Sequence, residues 1–283
     1  MKMSIRKIIP EEFNYISRKV REFFHEKGLI ECYPQTELSI LAACEDPQNL
    51  TTFQYVDETW PLPQTNQMHL EDIILKYGQK YNGFFCITTS YRQEKNPVKD
   101  RHDLIFPMIE FEILGGMDKL IEFEKEFLEH LGFGKKEEFP EGDYLDLCKK
   151  YGVDELDHKE EMQLNEDYGS VFFLKNFPES TSPFWNMKNN SQTGLAEKVD
   201  VIVCGIETFG SASRSCNRDE MRNSFQTISD GEYAETLYRK FGRTRVEEEL
   251  ETYLKHDFFE RSGCGIGYTR LARAMRLCNL FKY

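Results

Sequence analysis

Between Ser90 and Glu112 the chain reads SYRQEKNPVKDRHDLIFPMIEFE, placing two arginines, two lysines and a histidine inside a protein whose formal net charge is -13. An arginine fork matches phosphoryl oxygens, so a local basic cluster in an acidic chain suits a small anion such as a nucleotide phosphate. Arg92 and Glu94 alternate on one strand face, with Arg101 and His102 across the loop and Phe106 on the returning strand, where it could stack on a base. A solvated charged hairpin is the plainer reading of the same residues.

Two further constellations carry chemistry. Asp200 and Glu207 stand seven residues apart along an apolar run, VDVIVCGIETF, read as one strand. An odd separation puts them on opposite faces unless a bulge near Gly205 re-aims one. A carboxylate there needs a cation: Arg214 in a structural ion pair, or Mg²⁺ brought by a nucleotide. Near the C-terminus, Gly263, Gly265 and Gly267 lead to Arg270. They read as a tight strand-to-helix turn, with an anion-binding helix N-terminus as the sharper possibility.

The elements that must position these residues follow from periodicity. GFFCITTSYRQE reads as a buried strand and LIFPMIEFEIL, with alternating Ile109, Phe111 and Ile113, as its return; the loop KNPVKDRHD makes the two antiparallel. Helices are expected from Pro10, near 68–81, over MDKLIEFEKEFLEHLGF, near 143–151 and 158–166, and over GEYAETLYRKFG and TRVEEELETYLKH. SVFFLKNFP reads as a strand, and GFGKKEEFPE (133–142) as a surface linker. Helices and strands do not alternate regularly, which predicts an α+β fold with a mainly antiparallel sheet rather than a doubly wound one.

Composition sets the limits. The 283 residues allow one large domain, taken here as 1–283, with 40% hydrophobic and 13% aromatic residues. No apolar run has the length of a bilayer span and no leader is visible, so a cytoplasmic protein is expected. Eight cysteines lack any CxxC pair, which argues against a zinc or redox motif and for small apolar fillers. The acidic balance disfavours nucleic acid, which needs a basic stripe.

Read in order, these pieces resemble the class II aminoacyl-tRNA synthetases. Arg92-x-Glu94, Arg101-His102 and Phe106 resemble their motif 2, Gly265-Ile-Gly-Tyr-Thr-Arg270 their motif 3, and Gly28-LIECY-Pro34 their dimer-forming motif 1. QTNQMHLE (64–71), FPESTSPFWNM and DVIVCGIETFGSASR resemble core segments of the aspartyl and asparaginyl subgroup. The resemblance implies that Arg92 binds the ATP α-phosphate and Phe106 stacks on adenine beside Glu94 and His102. Arg101 and Arg270 would hold the outer phosphates, and Asp200 and Glu207 would ligate Mg²⁺. Gln64, Gln67, Glu71 and Arg214 would face the substrate amino acid. Four positions depart from the pattern: Ile105 and Thr269 replace glutamates, Gly210 a serine, and Leu70 the lysine of the aspartyl branch.

Such enzymes carry a β-barrel anticodon-binding domain ahead of the core, whereas motif 1 here begins within the first 30 residues. The resemblance then extends to ammonia-dependent asparagine synthetases, implying a homodimeric ligase that adenylates the side chain of aspartate with ATP and Mg²⁺ and passes it to ammonia. The alternatives are another amino acid or acceptor (a tRNA, a carrier protein, a small amine) and a non-catalytic regulator.

Overall fold

The computed structural model describes residues 8–41, 47–95, 97–98, 102–181 and 184–282. The chain opens with helix α1 (Pro10–Glu26), with proline at its first turn and Glu11 and Glu12 complementing its N-terminal dipole. Its apolar stripe, including Ile16, Val20 and Phe24, is buried. Gly28 takes a positive φ of 78°, turning the chain into β1 (Leu29–Glu31).

After a small hairpin, β2 (Thr52–Tyr55) and β3 (Glu58–Pro61), come α2 (Gln67–Tyr77), β4 (Gly83–Tyr91) and β5 (Ile105–Leu114). Next are α3 (Met117–Leu131), β6 (Glu141–Asp143), α4 (Tyr144–Tyr151) and α5 (His158–Tyr168). The strands β7 (Val171–Pro178), β8 (Leu195–Val203) and β9 (Ile206–Ser213) precede α6 (Arg218–Thr227), α7 (Glu232–Phe241) and α8 (Arg243–Tyr253). Strand β10 (Arg261–Gly267) and α9 (Tyr268–Leu277) end the succession.

One sheet runs in the order β1-β4-β5-β10-β9-β8-β7-β6. Only its outermost pairs, β1 with β4 and β6 with β7, are parallel among the described residues. The expected α+β class with a mainly antiparallel sheet is what is found. The last strand in sequence, β10, lies between β5 and β9. The C-terminal glycine motif therefore sits at the centre of the sheet.

The two faces of the sheet differ in kind. On one, α1, α3 and α9 cover Phe85, Ile109, Phe111, Phe209 and Ile266 in a single apolar core. On the other, α2 crosses β4, β5 and β10. Beside it, α6, α7 and α8 close a second core around Met68 and Trp185. The residues paired as Ser90↔Phe106, Thr88↔Met108 and Cys86↔Glu110 share this second face with Gly263, Gly265 and Gly267.

Three sequence expectations need correction. VDVIVCGIETF is not one strand but the hairpin β8–β9, which turns at Cys204 (φ 49°) and Gly205 (φ 75°). Burial on both faces removed the alternation that would have marked the turn. Gly263 and Gly265 lie within a strand rather than in a turn. The 133–142 stretch is packed rather than a loose linker: Phe139 is buried in the main core, and Lys125 and Lys175 both hold Glu141, the first residue of β6. Among the described residues no helix is long and apolar enough to cross a membrane.

Candidate active site

The β4–β5 connection supplies one wall of a cleft. Arg92 follows β4 directly, its backbone N–H donating to Leu104 O at 2.8 Å, and this narrows the mouth of the loop. Its guanidinium lies 5.5 Å from the ring centroid of Phe106, within cation–π range. Glu94 and His102 pair across the loop at 2.6 Å, so those two residues first hold each other. Arg101 lies outside the described residues.

The opposite wall comes from β9, β10 and α9. Gly267 is the N-cap of α9, which brings Arg270 over the cleft. Arg270 Nη1 donates to Glu207 O at 2.7 Å and stands 3.7 Å from Glu207 Oε2. Arg92, Glu94, His102, Phe106, Glu207 and Arg270 all line this one cleft. Its floor is made by the glycines of β10 and β9. A side chain at Gly265 would come within 3.0 Å of Met108 Cε, so glycine here provides room and not an unusual backbone angle.

Asp200 and Glu207 do reach the same place. The β8–β9 register runs Asp200↔Gly210 and Val201↔Phe209, then slips to Ile202↔Glu207. The bulge leaves both carboxylates over Gly210: a Cβ there would stand 3.2 Å from Glu207 Oε1 and 3.9 Å from Asp200 Oδ1. Asp200 Oδ1 is buried without a hydrogen-bond partner. Burial pushes the Asp200 carboxyl up to about 7, with Lys198 opposing the rise and Glu207 adding to it. A carboxylate pair brought together over Gly210, with Glu207 lining the cleft, suits a hard divalent cation that completes its shell from phosphate and water. Arg214, considered above as a partner for these acids, is elsewhere; the cation on Asp200 is Lys198, at 2.7 Å.

Further along the same face the charged residues pair with one another, while Gln67 Nε2, Glu112 Oε2, Asn186 Oδ1 and Arg261 Nε are buried without a hydrogen-bond partner. Glu71 accepts from Tyr253 OH (2.6 Å), Asn186 Nδ2 (2.7 Å) and Arg261 Nη2 (2.9 Å). Arg214 Nη2 donates to Glu112 Oε1 (2.6 Å) and Gln67 Oε1 (2.8 Å). Burial disfavours the Arg214 charge, but Glu112 and Glu71 more than compensate and hold its pKa above the ordinary arginine value. Burial likewise pushes Glu112 up to about 7 against the pull of Arg214. Gly263 makes this possible, since a Cβ there would fall 1.7 Å from Glu112 Oε1.

Of the residues assigned to the amino-acid substrate, Glu71 and Arg214 thus sit in this buried network at 0% and 1% exposure, with Gln67 at 2%. Gln64 is also buried. None of the four is among the residues lining the described cleft. Glu110, Glu112, Arg261 and Lys198 were not singled out from sequence. For the two glutamates the signal was present: in I-E-F-E-I the apolar residues take the core face and the acids the other.

A largely antiparallel sheet with this cleft on its open face defines a synthetase-type catalytic core. The sequence profile of tRNA synthetases class II (D, K and N) matches residues 5–280, and the chain belongs to that family. The asparaginyl-tRNA synthetase of Pyrococcus horikoshii, solved with asparaginyl-adenylate, superposes with a TM-score of 0.75 at 21% identity, covering 93% of this chain and 64% of that one. The Entamoeba histolytica asparaginyl-tRNA synthetase, also with asparaginyl-adenylate, gives 0.73 at 19%, covering 95% and 63%. Among curated relatives, the cytoplasmic asparagine–tRNA ligase of Dictyostelium discoideum is 24% identical over 84% of this chain and 43% of its own length. For the aspartate–tRNA(Asp) ligase of Pyrobaculum aerophilum the figures are 24%, 91% and 61%. The chain therefore spans roughly half of the length of these two curated relatives.

Proposed function

We propose that the chain activates an amino acid as its adenylate. The observation that carries this reading is the convergence of Arg92, Phe106, Glu207 and Arg270 on one cleft. Phe106 offers a face for adenine, and Arg92 and Arg270 offer fixed positive charge to the phosphates. Glu207, with Asp200, is suited to Mg²⁺, which would neutralise phosphate charge when bound. A substrate carboxylate oxygen attacks the α-phosphorus in line, the O–P bond forms as the bond to pyrophosphate breaks, and the two arginines stabilise the charge that moves outward. No nucleophile of the protein is needed.

The acceptor is the finer question. The sequence alone suggested ammonia; the relatives named above are tRNA ligases, which weighs in favour of an RNA acceptor. The same reading includes a homodimer through β1, whose neighbourhood exposes Ile30 (40%) and Tyr33 (87%). Pyrophosphate exchange screened over all amino acids tests the activation step, with exchange expected for one or a few of them, aspartate and asparagine first. Incubation of the activated amino acid with total tRNA or with ammonium then separates the acceptors. Absence of exchange with every amino acid would remove the enzymatic reading.

A further inference from the structure

Lys198 lies two residues before Asp200 on β8, hence on the same face. Its Nζ stands 2.7 Å from Asp200 Oδ2 with both side chains only 10% exposed. The same ammonium rests 4.0 Å from the ring centroid of Phe177 on the neighbouring strand β7. A lysine ammonium is strongly hydrated and costly to bury, and this one is matched on one side by a carboxylate and on another by an aromatic face. The second Asp200 oxygen, Oδ1, has no hydrogen-bond partner and faces the Glu207 carboxylate across Gly210. The two acids are therefore unequal. Glu207 presents a carboxylate that is 40% exposed to the cleft, whereas Asp200 already holds a cation.

We propose that Lys198 is a resident cation of the acid pair, a positioning residue that restricts where a divalent ion can sit. This rests on the nucleotide-binding reading above. A divalent ion on Oδ1 would lie within a few ångströms of the ammonium on Oδ2, in a site shielded from water, where like charges repel strongly. Glu207 is then the principal protein ligand of the ion that accompanies ATP. Asp200 acts first as the counter-ion that holds Lys198 in place.

The test uses the full chain with Mn²⁺ and α,β-methylene-ATP, an analogue that cannot form an adenylate, with bound Mn²⁺ measured by electron paramagnetic resonance. Glu207→Gln should weaken Mn²⁺ binding about tenfold or more, since it removes a charged ligand. Lys198→Met frees Asp200 to act as a ligand and should tighten binding by about tenfold or add a second ion. Lys198→Arg, which keeps the charge, should match the wild type. The double variant Lys198→Met/Asp200→Asn avoids stranding a buried ammonium and should stay within about threefold of the wild type. The proposal is overturned if the double variant loses as much affinity as Glu207→Gln, or if a folded Lys198→Met binds Mn²⁺ as the wild type does. If Lys198→Met does not fold, the double variant against Glu207→Gln decides. A wild-type chain that binds no Mn²⁺–nucleotide removes the nucleotide reading and this proposal with it, whereas binding with the wrong variant order removes this proposal alone.

Discussion

Two polar regions share one face of the sheet and treat charge in opposite ways. In the network around Glu71, Glu112, Arg214 and Arg261 all four side chains are at most 1% exposed and each ion faces an opposite one. In the cleft, Glu207 and Arg270 keep 40% and 21% exposure and stand 3.7 Å apart. The same strands build both. Along β5 the open face passes from Phe106 and Met108 to Glu110 and Glu112, and along β10 from Gly267 and Gly265 to Gly263 and Arg261. Where opposite charges are buried against one another, the fold gains a fixed shape; where they stay exposed and loosely paired, it keeps the capacity to bind. Buried ion pairs add little net stability as such, but breaking one is costly.

That contrast can be broken first at Arg261. Arg261→Met leaves Arg214 alone against two buried carboxylates, and the loss should be about 3–5 kcal/mol of unfolding free energy. Chemical denaturation measures it; a loss under about 1 kcal/mol would mean that the network does not hold this face together. The opposite profile is expected at Arg92. Arg92→Ala should lower amino-acid-dependent pyrophosphate exchange about 100- to 1,000-fold, a loss of roughly 3–4 kcal/mol in the transition state. Its unfolding free energy should change by less than about 1 kcal/mol. Retained exchange would detach Arg92 from the chemistry.

How much of this could be read in the sequence follows the same division. The cleft was legible because its residues sit at fixed short spacings: Arg92-x-Glu94, a loop, Phe106, and Arg270 after the glycines. Those spacings predicted one site, and all of the described members except Asp200 line one cleft. Asp200 instead approaches Glu207 through a bulge that an odd separation could only suggest. The network was not legible. Arg214 meets Glu112 across 102 residues and Arg261 meets Glu71 across 190, and nothing local in either segment names the partner. The hairpin at Cys204–Gly205 was hidden for a different reason, since two strands buried on both faces read as one apolar run. Lys198 was visible in K-V-D as a same-face neighbour of Asp200, and its importance lies in a pairing that the spacing permits but does not require.

A third buried acid sharpens the comparison, because it lies on the opposite face among apolar residues. Glu124 of α3 is 0% exposed, and burial pushes its carboxyl from the ordinary 4.5 up to about 8, with Ser211 and Cys264 offsetting the rise only in part. The folded state therefore keeps a proton that the unfolded chain releases over this interval. With the native form binding more protons, stability falls as pH rises: the contribution is full below about pH 4.5 and is lost as pH climbs toward and through about 8. Glu124→Gln mimics the protonated acid and has no proton to lose. The stability of this variant relative to the wild type should thus improve by about 3 kcal/mol between pH 5 and pH 8, read from urea midpoints at several pH values. Parallel pH profiles for the two proteins would show that Glu124 is ionised in the fold, so that an apolar layer and a paired network handle a carboxylate alike.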